Sequence, residues 1–223
     1  MEAVATRSSA PISVPPQARI SIAGLRHALG DCLLAASFLL ATLPAGRELT
    51  FTLAGVANVV WLVGAAVMAV MSFARFAPST ASVNLRTVAA SGGMLILPWF
   101  MRPTGLSTGA LFTTGLCFEL FGVVLTQVAR IYMGRSFGVL PANRGIVSKG
   151  PFRWVRHPIY FGWFVLSIGY AMCFVSGRNI MLIVATLPFM VWRIDQEEAH
   201  LSTDPDYRRY MDQVQYRLWP GVV

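Results

Sequence analysis

The chain has 223 residues, of which 55% are hydrophobic and only 13% are charged, and its mean hydropathy is +0.59. A soluble domain of this length carries about a quarter charged residues. The composition therefore excludes an ordinary soluble domain and predicts an integral membrane protein. The net charge of +8 does not by itself indicate nucleic acid binding, because basic loops and anionic lipid headgroups account for it.

Six apolar segments follow an N-terminal tail, residues 1–19, whose Ser- and Pro-rich sequence predicts disorder. A helix needs about 20 apolar residues to cross a bilayer, and the second and fourth segments meet this length. The third, fifth and sixth are shorter, so tilting or local thinning of the bilayer is expected. We predict an all-α, polytopic transmembrane helical bundle of five or six spans. Its apolar segments are residues 27–43, 51–73, 87–101, 109–132, 159–175 and 179–192.

The first segment has a signal peptide as its alternative interpretation. It begins late in the chain, and a cleaved leader would leave the other spans unexplained, so a membrane span is favoured.

Basic residues lie mainly on one side of these spans. Fifteen of the 18 Lys and Arg residues lie before span one, between spans two and three, around the loop between spans four and five, or after span six. Only Arg47, Arg102 and Arg178 lie on the other side. Because basic loops stay in the cytoplasm, both termini and the 133–158 loop are predicted to be cytoplasmic.

Three cysteines and two acidic residues lie inside the predicted spans. Cys32, Cys117 and Cys173 form no CxxC pair and have no His at ligand spacing, so we expect buried thiols and no metal. Asp31 and Glu119 are functional candidates because acids are costly inside a membrane. Glu119 either polarises an acceptor or pairs with a neighbouring helix, and the structural interpretation is slightly favoured.

A first motif joins the 133–158 loop to the fifth span. Pro158 fits the first turn of a helix, which places His157 near the N-cap, where free N–H groups favour anions. Arg156 adds a cation able to hold a carboxylate through two hydrogen bonds. Membrane anchoring by the arginines and aromatic residues is an equally weighted alternative. The motif reads Gly150-Pro151-Phe152-Arg153-Trp154-Val155-Arg156-His157-Pro158-Ile159-Tyr160-Phe161-Gly162.

A second motif follows the sixth span, where Arg193 and Glu197 are four residues apart and share one face if the helix continues. An exposed helix ion pair is the simpler interpretation and contributes little stability. Acids at a membrane exit, opposite a basic loop, also suit a cationic ligand.

A third motif is the C-terminal tail, in which aromatic and basic residues alternate. It predicts either an interfacial helix or a segment that closes a pocket. The residues are Tyr207-Arg208-Arg209-Tyr210 and Val214-Gln215-Tyr216-Arg217-Leu218-Trp219-Pro220-Gly221.

Together these motifs, within residues 130–221, resemble the isoprenylcysteine carboxyl methyltransferase family and its bacterial and phospholipid methyltransferase relatives. The resemblance rests on the order and spacing of Gly134-Arg135-Ser136-Phe137, the Gly150–Gly162 motif, Glu197-Glu198 and the tail. It implies an S-adenosylmethionine-dependent integral membrane methyltransferase with a lipophilic acceptor and no metal. Residues 20–132 would then be N-terminal membrane helices, and residues 133–223 a catalytic region with a cytoplasmic cofactor pocket.

The resemblance also implies roles for single residues. Arg193 would face the acceptor. Arg156, the second residue predicted to be catalytic, would hold the carboxylate of the cofactor because it lies beside the helix start. Phe152 stands where the family often has Tyr, and it lacks the hydroxyl that a Tyr would offer to the cofactor. The implied cofactor-binding residues are Arg144, Gly145, Ile146, Val147, Phe152, His157, Pro158, Ile159, Tyr160, Glu197 and Glu198.

Two other functions stay open on the sequence. Membrane sterol and steroid reductases, which use a nicotinamide cofactor, share a similar Arg-His-Pro-x-Tyr turn and aromatic-basic tail. This chain departs from them at Ile159 and Trp163, where Asn and an acid are expected. A non-enzymatic membrane scaffold is the other alternative, but it would not explain why so many charged residues lie next to the fifth and sixth spans. The acceptor itself is not identified by the sequence, which allows a carboxylate, an amine or a hydroxyl.

Overall fold

The computed structural model describes residues 59, 63, 66, 80–81, 85–136, 142–143, 145–219 and 221. The predicted tail and first span, with Asp31 and Cys32, lie outside the described residues. So does the second predicted span, except for Val59, Val63 and Ala66, which are helical.

Helices make up most of the described chain, as predicted, and their bounds agree with the third to sixth apolar segments. The sixth segment continues as a helix beyond residue 192, through its polar residues, to Leu201. The only strands among the described residues are Thr80–Ala81 and Ala142–Asn143, which pair antiparallel. The helices are α1 (Leu85–Ile96), α2 (Gly109–Met133), α3 (Pro158–Cys173), α4 (Gly177–Leu201) and α5 (Pro205–Gln213).

Two of these helices, α2 and α4, are 25 residues each and are long and apolar enough to cross a membrane, whereas α1 and α3 are shorter apolar helices. Large apolar side chains project outward from α2 and α4, and contiguous apolar surface of this kind is costly in water. Together with the composition, these features indicate an integral membrane protein. Examples of such exposed residues are Phe118, Phe121, Val124, Ile180 and Val184.

The cysteine prediction holds for one of the two described thiols. Cys173 is buried, but Cys117 is exposed on the outer surface of α2, so the expectation of a buried thiol there was wrong. The sequence placed it on a span without showing which face of that span would be covered.

A glycine seam holds α2 against α3. A Cβ on Gly122 would lie 2.5 Å from the carbonyl oxygen of Gly162, and a Cβ on Gly169 would lie 2.5 Å from that of Gly115. Small residues let membrane helices approach this closely. As the residue number rises along α2, from Gly115 to Gly122, the number of its partner in α3 falls, from Gly169 to Gly162. The two helices are therefore antiparallel, and Gly162 lies beside Thr126 at one end of the seam.

The other end of the seam is tied to the second helix pair, in which α1 packs against α4. Asn179, at the start of α4, is fully buried. Its Oδ1 accepts a hydrogen bond from the backbone N–H of Arg102 at 3.1 Å, and its Nδ2 donates to the carbonyl oxygen of Arg102 at 2.8 Å. Ser107 donates to the carbonyl oxygen of Met172 at the end of α3, at 2.6 Å. These contacts fix the start of α4 near the end of α3.

Candidate active site

The turn before α3 forms as the sequence predicts. His157 is the N-cap and Pro158 opens the helix. A 3₁₀ turn, Gly150–Arg153, precedes it. Gly150 has a φ of +59°, and a Cβ there would lie 2.6 Å from the ring of Tyr132, so this turn requires glycine.

One cluster of charges has a buried centre: the Glu198 cluster, in which the buried Arg156, His157 and Glu198 meet the partly exposed Arg217. Glu198 Oε1 lies 2.7 Å from Arg156 Nε and 3.0 Å from His157 Nε2. Its Oε2 forms an ion pair with Arg217 Nη2 at 2.9 Å, without good hydrogen-bond alignment. The side chain of Glu198 is only 5% exposed. This carboxylate is therefore surrounded by partners from within the protein.

Arg156 and His157 also hold a tail strap, residues 214–217, across the turn. Arg156 Nη1 donates to the carbonyl oxygens of Val214 and Gln215, at 2.8 and 2.7 Å. The backbone N–H of Arg156 donates to Tyr216, and that of His157 donates to Arg217, both at 2.9 Å. The tail thus closes over the turn, which agrees with the closing role considered for it.

Three of the five N–H donors of the Arg156 guanidinium are used in these contacts. The two-pronged contact with a ligand carboxylate that the sequence suggested would require one of these internal bonds to break. Arg156 is thus built into the frame of the turn and the tail.

An apolar cluster lies beneath the strap and includes several of the predicted cofactor residues. Asp204 caps α5 by accepting a hydrogen bond from the backbone N–H of Asp206, at 2.8 Å. Tyr207 and Tyr210 of this helix face inward, and Tyr210 donates to the carbonyl oxygen of Phe152 at 2.8 Å. Burial raises the pKa of Tyr210 well above its usual range, so its hydroxyl stays protonated as a donor. The cluster comprises Ala129, Phe152, Tyr207, Tyr210 and Val214, with Met133, Ile146, Val147, Ile159, Leu201 and Met211 packed around it.

A second cluster of charges is more open: the Glu197 cluster, consisting of Tyr160, Arg193 and Glu197. The Tyr160 hydroxyl donates to Glu197 Oε2 at 2.9 Å, and Arg193 Nη2 lies 3.6 Å from the same oxygen. The predicted i,i+4 pair is therefore formed. Arg193 is only 4% exposed, whereas the side chain of Glu197 is 22% exposed.

The structure gathers most of the predicted site residues at one end of the helices, called here the His157 end. Pro158 is buried beside the N-cap, and Gly145 is exposed with a φ of +99°. Arg144 lies outside the described residues. The described residues contain no group of three His, Cys, Asp or Glu side chains that would hold a metal.

Arg130 is one of the basic residues that predict the cytoplasmic side of the spans. It lies in the last turn of α2, next to Ala129 of the apolar cluster.

Comparison with known proteins gives these residues a family context. Residues 111–203 match the model of the Isoprenylcysteine carboxyl methyltransferase (ICMT) family. The resemblance is confirmed over this region. The matched range contains nearly all of α2, α3, α4, the Glu197 cluster and the Glu198 cluster except Arg217, whereas α5 and the strap lie beyond it.

The curated proteins that part of this chain resembles include protein-S-isoprenylcysteine O-methyltransferases. The Dictyostelium discoideum protein is 28% identical over 56% of this chain and 54% of its own length. The Xenopus laevis protein is 33% identical over 39% of this chain and 32% of its own length. The chain therefore spans about half the length, or less, of these relatives.

A solved structure, that of the eukaryotic intramembrane Ras methyltransferase ICMT, aligns over 88% of this chain and 97% of its own, with 19% identity and a TM-score of 0.46. A similarity of this size carries no argument about function.

Proposed function

We propose that the protein is an integral membrane methyltransferase that transfers a methyl group from S-adenosylmethionine to the carboxylate of a lipophilic, prenylcysteine-like acceptor. The observation that carries the proposal is the Glu197 cluster. Within the family region, it presents a partly exposed carboxylate and a buried arginine at the polar end of apolar helices. The curated relatives, named for isoprenylcysteine O-methylation, suggest this acceptor.

The residues present fit S-adenosylmethionine, which carries two cationic groups, a carboxylate and an adenine. Glu197 is suited to a cationic group, since its carboxylate is only partly covered by Tyr160 and Arg193. Apolar residues around the same turn are suited to adenine, and the N-cap at His157 to an anion. The residues that would hold the cofactor are Gly145, Ile146, Val147, Phe152, His157, Pro158, Ile159, Tyr160 and Glu197, with Arg144 and Glu198 carried over from the family resemblance.

When bound, the cofactor supplies an electrophilic methyl group. A carboxylate acceptor is ionised at neutral pH, so the protein needs no general base and has only to orient it and exclude water. The family resemblance implies that Arg193 faces the acceptor carboxylate, and we keep this assignment for Arg193, which is buried beside Glu197. Arg156 supports the site by holding Glu198 and the strap.

An amine acceptor fits the site less well. It would have to lose a proton before attack, and His157 and Glu198 are the candidate bases. In this structure they contact each other at 3.0 Å inside the Glu198 cluster. We therefore favour O-methylation, with both termini and the His157 end in the cytoplasm and five or six spans in all.

The test uses the full chain in lipid nanodiscs with radiolabelled S-adenosylmethionine. We expect transfer to N-acetylated farnesylcysteine and release of the label as methanol in base, as a methyl ester requires. Base-stable labelling of phosphatidylethanolamine would instead indicate N-methylation. Thermal stabilisation by NADP but not by S-adenosylhomocysteine would contradict a methyltransferase and favour the reductase alternative.

A further inference from the structure

The two inward-facing tyrosines of α5 differ in what their hydroxyl groups contact. Tyr207 and Tyr210 are each only 5% exposed, and their ring centroids lie 5.7 Å apart in the apolar cluster beneath the strap. Tyr210 donates its hydroxyl to the carbonyl oxygen of Phe152. The hydroxyl of Tyr207 makes no hydrogen bond to any of the described residues. Of the two, Tyr210 is thus used by the described fold, and Tyr207 is not.

Apolar packing does not account for the hydroxyl of Tyr207. A hydroxyl that is buried without a hydrogen-bond partner is costly. A phenylalanine would fill the same space against Tyr210 and Val214 without this cost. A ligand that completes the hydrogen bond explains why a tyrosine is present.

The register of α4 brings the cofactor site to the same place. Leu201 packs against the apolar cluster that contains Tyr207. Glu197 lies one turn before Leu201 on the same face of α4, about 6 Å along the helix axis. Ile159 packs against the cluster as well, and the next residue, Tyr160, donates its hydroxyl to Glu197. The apolar cluster and the partly exposed carboxylate of Glu197 are therefore adjacent.

The charges around the Tyr207 hydroxyl agree with this position. Burial raises the pKa of Tyr207 well above its usual range, and the negative charges of Glu197 and Glu198 raise it further. The positive charge of Arg156 lowers the pKa by less. The hydroxyl therefore stays protonated and lies in the field of two carboxylates. Such a field favours a cationic group of a ligand over an anionic one.

We propose that the hydroxyl of Tyr207 binds the ammonium group of S-adenosylmethionine, beside the carboxylate of Glu197. An ammonium group has three N–H donors, so it can donate to the Glu197 carboxylate and to the phenolic oxygen of Tyr207 at once. The family region, residues 111–203, ends before Tyr207, so the tail contributes a cofactor contact of its own. This inference rests on the proposed function, because it requires S-adenosylmethionine as the cofactor.

The experiment compares two ligands by calorimetric titration of the full chain in nanodiscs. One is S-adenosylhomocysteine, and the other is its deaminated analogue, in which hydrogen replaces the amino group. Tyr207→Phe should reduce S-adenosylhomocysteine affinity by about tenfold, the low end for a hydrogen bond to a charged group. It should leave affinity for the deaminated analogue unchanged. Its melting temperature should stay the same or rise, because no hydrogen bond to the described residues is lost.

Tyr210→Phe is the matched control, since it removes the same hydroxyl one turn further along α5. It should lower the melting temperature, because the hydrogen bond to Phe152 is lost, and keep the wild-type preference for the amino ligand. In Tyr207→Phe, equal losses of affinity for both ligands would overturn the inference. So would a lowered melting temperature with the preference intact, which would assign Tyr207 to the fold.

The wild-type protein separates this inference from the proposed function. If it binds S-adenosylhomocysteine but does not prefer it to the deaminated analogue, the ammonium contact is wrong and the methyltransferase proposal stands. If it binds neither ligand, S-adenosylmethionine is not the cofactor, and both the proposed function and this inference are wrong.

Discussion

Glu197 and Glu198 are neighbours in sequence, but their carboxylates lie in different surroundings. Successive helical residues point about 100° apart, so the two side chains leave α4 on different faces. Glu198 meets Arg156, His157 and Arg217 and is 5% exposed. Among the described residues, Glu197 contacts Tyr160 and Arg193, and its side chain is 22% exposed.

The difference in exposure and in partners assigns a structural role to Glu198 and a ligand-binding role to Glu197. The Glu198 cluster joins α3, α4 and the strap, which are distant in sequence, so its charges hold the frame of the site. The Glu197 cluster joins only α3 and α4, and its acid is partly exposed. A buried carboxylate surrounded by basic side chains holds those side chains in place, whereas a partly exposed carboxylate is accessible to a cation.

The largest effect should come from breaking the Glu198 cluster. Glu198→Ala leaves Arg156 and His157 buried without their carboxylate, and removing one partner of a buried pair costs about 3–5 kcal/mol. We expect a large fall in melting temperature of the protein in nanodiscs, together with loss of S-adenosylhomocysteine binding.

Glu197→Ala is the matched control, since it removes the same carboxyl group one residue away. It should keep the melting temperature near that of the wild-type protein and still lose cofactor affinity. Equal melting temperatures for the two variants would contradict the division between frame and binding site.

Effects of intermediate size are expected at Arg193 and Arg156, one from each cluster. Arg193→Ala should reduce turnover by roughly 100-fold, the cost of removing a positioned charge partner, while S-adenosylhomocysteine affinity changes little. Arg156→Ala should lower the melting temperature and cofactor affinity together, because it releases Glu198 and the strap. Calorimetric titration and turnover assays on both variants measure this split. Equal losses of cofactor affinity in both would place Arg193 in the cofactor pocket.

Much of the His157 end was predictable because its signals are local. Pro158 marks the start of α3, and Arg193 and Glu197 have helical spacing. Gly115 and Gly122 on α2, and Gly162 and Gly169 on α3, repeat at seven residues, and this pattern would have predicted the seam between two close helices.

The partners of Arg156 were not predictable from such signals. Its contacts with Glu198 and with the strap carbonyl oxygens join residues separated by 42 to 59 positions. No periodicity encodes contacts of this kind, because they arise only when the tail folds back over the turn. The exposure of Cys117 has the same origin, since hydropathy indicates a span but not which of its faces is covered.

The smallest effect should come from within the Glu197 cluster, at the Tyr160 hydroxyl. Tyr160→Phe keeps the ring and removes one hydrogen bond to Glu197 Oε2. A hydrogen bond to a charged group contributes about 1.5–3 kcal/mol, and a partly exposed one lies at the low end of this range. S-Adenosylhomocysteine affinity should therefore fall by roughly tenfold, with the melting temperature nearly unchanged. The fall should disappear in a Glu197→Gln background, because the hydroxyl then has no carboxylate to orient. If the fall persists there, Tyr160 acts on the cofactor directly and not through Glu197.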